Sequence, residues 1–201
     1  MQNLEYDYFG LVRELPLRDV KGGTIAYFDS VGDKEVLMKA SRNIARFADY
    51  YAILDRRPDY IVTTETKGIP IAKAVGGFFN IPVIVLRKSS VTETGDYHFT
   101  GESITSGKTT YFVPKSTVKK LQSATVWFID DVFSTGGTMR VVKQICDKNN
   151  ARLTFGGFIM NEVPAKEMPL TMRVVDKERM SYFEFDGITC FATAVLPMVV
   201  K

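Results

Sequence analysis

Two cysteines and one histidine are all that 201 residues supply of thiolate and imidazole metal ligands. Cys146 and Cys190 are far apart and in no Cys-x-x-Cys pair, which excludes a disulfide framework and a thiolate zinc site. A single histidine, His98, excludes a histidine-based metal cluster. No apolar run approaches the ~18 residues that a membrane span needs. The first ten residues, MQNLEYDYFG, are acidic and polar and so unlike a secretory signal. Charge of one sign is also scarce: 26 Lys and Arg face 23 Asp and Glu, and a net +3 does not by itself argue for a nucleic-acid surface. No repeat and no low-complexity linker is present. What is abundant is core material, at 45% hydrophobic and 12% aromatic. The expectation is one soluble, cytoplasmic domain over 1–201, with no membrane and no nucleic-acid partner.

Periodicity gives the first strong element. Leu37, Ala40, Ile44, Phe47, Tyr51 and Leu54 recur at helical spacing, with Asp33 as N-cap and Pro58 as the stop. Strands and helices then alternate. Short β-branched or apolar runs at 59–64, 81–87, 109–113, 124–130 and 152–160 read as strands. Segments 69–79, 115–121 and 138–150 read as helices, the first weakened by two glycines. Near-continuous apolar strands between helices predict an α/β fold with a parallel sheet covered on both faces. Residues 1–32 read as short apolar runs and turns, with DVKGGT at 19–24 as a turn. Residues 88–108 are polar and without period, which predicts a long loop of functional or mobile character. The segment from 161 has a mixed pattern.

Sheets of this kind bind ligands at the carboxyl ends of their strands, where the strand order switches. Two strands run into unusual loops, TTETKG (63–68) and DDVFSTGG (130–137). In the second, Asp130 and Asp131 close the strand. Ser134, Thr135, Gly136 and Gly137 then lead into a helix that starts near Thr138. Successive backbone N–H groups and a helix N-terminus form an anion cradle, and glycines allow a ligand close to the backbone. Two carboxylates cannot face the same phosphate, but they accept hydrogen bonds from a vicinal diol, or meet magnesium through water. A diol and a phosphate on one small ligand describe ribose 5-phosphate. In the first loop, the amides of Thr66, Lys67 and Gly68 with the Lys67 ammonium offer a second anion site. Arg87 and Lys88 follow the next strand, placed to meet a diphosphate. GESITSGKT (101–109) imitates a phosphate-binding Walker loop, but its first glycine is one residue too distant and no strand precedes it.

An apolar run ending in DDVFSTGGT resembles the phosphoribosyl-pyrophosphate (PRPP) signature of the type I phosphoribosyltransferases, and the order of elements from about 34 to 160 matches that family. The resemblance implies a Rossmann-like core with a central parallel sheet flanked by helices, a small hood to which 1–32 and 161–201 contribute, a flexible loop and a homodimer. It assigns the ribose and 5-phosphate to Asp130, Asp131 and residues 134–138, and pyrophosphate to Thr66, Lys67, Gly68, Arg87 and Lys88. Asp130 and Asp131 would also be the catalytic pair, steadying an oxocarbenium-like transition state, with Mg2+ carried in on PRPP rather than held directly by side chains. The 88–108 segment resembles the family's closing loop, with Glu93, His98, Glu102 and Lys108 as contact candidates.

The base is read less directly. Phe133 and Glu162 are candidates for its pocket, together with Tyr8, Phe9, Val12 and Arg13 of the N-terminal arm and Met160 and Asn161 at a strand end. YFGLVRELPLRDV (8–20) is similar to the start of adenine-type and xanthine-type members, which favours a purine, while KGIP (67–70) is nearest to orotate-type members. The expected activity is transfer of the 5-phosphoribosyl group from PRPP to a nucleobase, adenine-type first, in nucleotide salvage. The rival is a non-catalytic PRPP-binding regulator, because 87–118 resembles the effector domain of the bacterial purine repressor. Residues 1–32 are too few for the helix-turn-helix that precedes that domain.

Overall fold

In a computed structural model of the chain, residues 3–20, 23–54, 57–89, 97–103, 107–164, 173–175 and 180–200 are described. Five strands form the parallel heart of the sheet: β4 (Tyr60–Thr64), β5 (Val83–Leu86), β8 (Thr125–Phe133), β9 (Arg152–Pro164) and β12 (Ile188–Val200). They lie in the order β5-β4-β8-β9-β12. From β4 the chain first steps outward to β5 and then returns to the other side at β8. The switch in winding therefore lies between β4 and β8, where an open α/β sheet leaves a crevice at its carboxyl edge.

β8 shows why the apolar pattern is continuous. Trp127 and Ile129 pack on one face, with α1 (Lys34–Leu54) and α2 (Gly68–Phe79). Val126 and Phe128 pack on the other, with α4 (Gly137–Lys148) and the end of α3 (Lys115–Leu121). A strand covered on both faces loses its polar side, as read from the sequence. The adjacent glycines Gly76 and Gly77 do not break α2. A Cβ at Gly76 would lie 2.8 Å from the Ile81 carbonyl and 3.0 Å from Val83, so bare backbone is what lets α2 close onto the start of β5.

Three segments differ from the sequence reading. The N-terminal segment is more than short runs and turns. It forms an antiparallel meander, β1 (Asn3–Tyr8), β2 (Leu11–Val20) and β3 (Gly23–Ala26), that joins the main sheet through β3 and β12, and the chain reverses within 19–24, as read, where Val20 pairs with Gly23. Residues 88–108 are not one periodless loop. β6 (Tyr97–Ser103) and β7 (Gly107–Val113) pair as a hairpin, which also accounts for the imitation Walker loop lying across two strands. Polar β-branched residues pair well on a half-solvated ribbon without an apolar run to announce it. The segment beyond 161 completes β9, and β10 (Arg173–Val175) and β11 (Met180–Phe185) pair in an antiparallel ladder beside β12. Among the described residues no helix is long and apolar enough to cross a membrane.

The meander is fastened at both ends. The Tyr6 hydroxyl donates to the Val195 carbonyl at 3.1 Å, and Tyr8 meets the Thr193 hydroxyl at 2.5 Å. Arg13 reaches across to the start of α1, 2.5 Å from Asp33 and 2.7 Å from Glu35. Asp33 also caps α1 by accepting the Val36 N–H at 3.1 Å, as expected of that residue. The Arg13 guanidinium holds the Asp33 carboxyl below its ordinary value, and the cap N–H assists. A carboxyl whose folded pKa lies below its unfolded one stabilises the fold above the unfolded value and ceases to as pH falls through the folded one. Asp33→Ala is thus expected to lower stability by about 1 kcal/mol at pH 7, with Asp33→Asn losing less because Asn still caps. Chemical denaturation at pH 7 and again below pH 3 checks this, and the difference between wild type and variant should shrink at the lower pH.

Candidate active site

The crevice at the switch point is a cavity of about 400 Å³. Three loops and one strand bound it: the end of β4 with 65–68, Lys88 after β5, the end of β8 with 134–138, and residues 25–28 of β3 with the following loop. Tyr111 of β7 and Glu162 of β9 complete the wall.

β8 runs further than its apolar stretch, to Phe133, so the two acids lie inside a paired strand rather than at its end. Alternation then separates them. Asp130 is 5% exposed and turns towards β4, where its carboxylate accepts from the Thr64 hydroxyl at 2.9 Å and from the Asp131 N–H at 3.1 Å. Gly68 presses on it from the facing loop, and any Cβ there would overlap the Asp130 carboxylate and the Thr63 hydroxyl. Burial, then the neighbouring charge of Asp131, raises the Asp130 pKa well above the usual carboxylate range. Burial raises Asp131 as well, and the Lys67 charge opposes that rise.

The following turn is built as the motif requires. Gly136 adopts φ +73°, the left-handed region that glycine enters freely, and α4 starts at Gly137. Residues 134–138 thus line the cavity at the N-terminus of α4, where backbone amides are free of helix partners. The Phe185 ring covers Gly136 so closely that a Cβ there would overlap it. Arg140 ties this cover down: it donates to the Thr135 carbonyl at 3.2 Å, lies 4.7 Å from the Phe185 ring and pairs with Asp186 at 3.4 Å.

The opposite loop carries a cis peptide between Glu65 and Thr66. Thr66 is exposed, and Lys67 is partly buried with its ammonium turned inward. Lys67 donates to the Phe28 carbonyl at 2.8 Å and lies 3.9 Å from the Tyr27 ring. The Lys88 N–H donates to the Glu65 carboxylate, which ties this loop to the next. At the far wall Glu162 is 8% exposed, and its Oε2 and the Ser134 Oγ are buried without a hydrogen-bond partner. Burial raises the Glu162 pKa, while the nearby Ser134 hydroxyl tempers the rise without a bond of ordinary geometry.

Of the residues singled out from sequence, the cavity gathers Asp130, Asp131, Phe133, Ser134, Thr135, Gly136, Gly137, Thr138, Thr66, Lys67, Gly68, Lys88 and Glu162. It does not gather Arg87, which is exposed while its carbonyl accepts from the Phe112 N–H at 2.8 Å. Arg87 and Lys88 both lie exposed beyond the end of β5, and of the two only Lys88 lines the cavity. Lys108 is exposed because alternation gives the inner face of β7 to Thr109, Tyr111 and Val113. His98 is exposed against Phe112, with ring centroids 5.6 Å apart. The Glu102 backbone pairs with Lys108 in the hairpin, its side chain is outside the description, and Glu93 lies outside the described residues. Phe133 is mostly core, its ring meeting Phe158, Phe183 and Phe185 at 4.8–5.1 Å.

The N-terminal candidates are displaced as well. Tyr8 and Arg13 are occupied by the bonds that fasten the meander, Phe9 packs edge-on against Tyr8, and Val12 is exposed. Met160 is core, and Asn161 donates to Ser181 at 3.4 Å. The arm's true contribution is Ile25–Phe28, which no motif marks. Tyr111 was also missed: burial raises its pKa, and its hydroxyl lies beside Thr138 and Thr64. The TTYFV strand signal held it, but only the hairpin pairing turns it inward.

Comparison with known proteins follows this geometry. No protein-family model matches the chain. It is 31% identical over 147 residues to the purine biosynthesis transcriptional repressor PurR of Bacillus subtilis, covering 72% of this chain and 49% of the repressor. It is 31% identical over 137 residues to a hypoxanthine/guanine phosphoribosyltransferase of Methanothermococcus okinawensis, covering 67% of this chain and 71% of that enzyme. The chain spans about half to two-thirds of the length of several other curated relatives. In fold it is similar to the adenine phosphoribosyltransferase of Rhodothermus marinus, with TM-score 0.59, 13% identity, and coverage of 96% of this chain and 94% of that one. A likeness of sequence along most of one relative, a shared fold and the paired acids ahead of a glycine cradle agree: the chain belongs to the type I phosphoribosyltransferase family.

Proposed function

We propose that the protein transfers a 5-phosphoribosyl group from PRPP to a purine base and releases pyrophosphate. One observation carries this reading: a single cavity holds an anion cradle, two carboxylates beside it and a second anion loop with Lys67 and Lys88. The 134–138 amides hold the 5-phosphate, and Asp131, steadied by the buried Asp130, accepts from the ribose hydroxyls. The 66–68 loop and Lys88 receive the diphosphate. A ring nitrogen of the base attacks C1 as the C1–O bond to pyrophosphate breaks, and the two carboxylates stabilise the positive charge that develops on the sugar.

Among the described residues no group of three His, Cys, Asp or Glu side chains is placed to hold a metal ion. Four carboxyls against two ammonium groups in one cavity nevertheless fit a cation that enters with its diphosphate, reached by Asp130 and Asp131 through water. Magnesium bound this way neutralises the leaving group. The N-terminal resemblance to adenine-type and xanthine-type members favours a purine acceptor, and the relatives named for hypoxanthine and guanine favour a 6-oxopurine. The repressor relative supports the second reading, a PRPP-binding regulator that does not turn its ligand over.

Pyrophosphate release with PRPP and magnesium, measured separately with adenine, hypoxanthine, guanine, xanthine, orotate and uracil, decides between them. Release with one or more purines is the expected outcome. Silence with all six while calorimetry shows PRPP binding establishes the regulator instead.

Substitution of the two acids separates binding from stability. Asp131→Asn is expected to weaken PRPP binding by roughly 10- to 100-fold, the loss of one charge-assisted hydrogen bond. Asp130→Asn is expected to weaken it too, yet to raise the melting temperature of the ligand-free protein. A carboxyl whose folded pKa is raised destabilises increasingly as pH climbs from the unfolded value of about 4 through the folded one. The stability gain from Asn should therefore grow between pH 4 and 7, and thermal unfolding across that range measures it.

A further inference from the structure

The Lys67 ammonium does not point along its own loop. It lies among the Phe28 carbonyl at 2.8 Å, the Tyr27 ring at 3.9 Å, and the charges of Asp131 and Glu162, both of which register it. A lysine head is three N–H donors on a point charge, so its resting place reports the chemistry of the space around it. That space offers an aromatic face, a carbonyl acceptor and a buried carboxyl. Two of its polar atoms, Glu162 Oε2 and Ser134 Oγ, remain unpartnered although buried, a state that is rare in native proteins and that a ligand's polar edge would relieve. A flat heterocycle with N–H groups on its edge complements every one of these features. It cannot enter while the ammonium covers the Tyr27 ring.

We propose that Tyr27, the Phe28 carbonyl and Glu162 form the seat of the base, that Lys67 fills this seat in the empty protein, and that a diphosphate at the 65–68 loop draws the ammonium out. This rests on the functional reading above and adds two things to it. The base must present N–H donors to Glu162, and its binding is coupled to that of diphosphate through one side chain. The coupling is reciprocal, because a ligand that needs Lys67 away from Tyr27 favours the state in which Lys67 meets the anion.

Calorimetry with hypoxanthine and with adenine, each with and without magnesium pyrophosphate, tests it. In the wild type pyrophosphate is expected to tighten binding of at least one of the two by about tenfold or more. Lys67→Met should bind that base tightly without pyrophosphate and gain nothing when it is added; Lys67→Gln serves if the methionine variant does not fold. Glu162→Gln should weaken base binding several-fold and leave pyrophosphate binding unchanged. Caffeine, which has no N–H, should show no coupling. If the wild type binds pyrophosphate with no change in affinity for either base, or if the coupling survives in the Lys67 variants, the proposal is overturned while the functional reading stands. A wild type that binds neither PRPP nor pyrophosphate overturns both.

Discussion

The buried carboxylate of Asp130 is the constraint around which the rest is arranged. It is held by Thr64 at the end of β4, by the Asp131 amide within β8, and by the bare backbone of Gly68 at the head of α2. Thr64 and Gly68 flank one loop and Asp131 lies far along the chain in β8, and the carboxylate brings them to one point at the winding switch. A buried charge without an ammonium in direct contact costs stability. The fold sustains that cost where two loops are set directly against each other. The geometry of the candidate site and its local instability have the same origin.

Much of this was legible in the sequence, for physical reasons that name particular residues. α1 announced itself because one stripe of it is apolar, and the structure buries Ala40 and Ile44 of that stripe completely. β8 and β9 did so because both of their faces are covered. The 134–138 turn was readable because only glycine tolerates both the φ of Gly136 and the ring above it. Local chemistry of this sort leaves a local signature.

What was not legible depends on pairing at a distance. β6 and β7 carry Thr, Tyr and Phe among polar residues, and only their antiparallel register turns Tyr111 inward and Lys108 outward. The β1–β3 meander gains its place from hydroxyls that reach Thr193 and the Val195 carbonyl, nearly the whole chain away. Arg87 and Lys88 looked equivalent as neighbours, but the Arg87 backbone bridges to Phe112 while Lys88 lines the cavity. Residues 25–28, which line the cavity at the end of β3 and just beyond it, carry no motif, because what they present there is an aromatic ring and a backbone carbonyl.

The Phe185 ring over Gly136 bears on how such a protein is made. The cradle is spelled out by residue 138, but the ring that rests on its left-handed turn comes nearly fifty residues later, in the hairpin of β11 and β12. The partner strand β12 must also find β9 across that interval. During synthesis the ribosome therefore releases the 134–138 turn well before it releases the cover, and the nascent chain holds a written turn that it cannot yet shape. Long-range closure of this kind slows folding. It also ensures that the site exists only in a chain whose sheet has been completed, so an interrupted product carries the signature without the pocket.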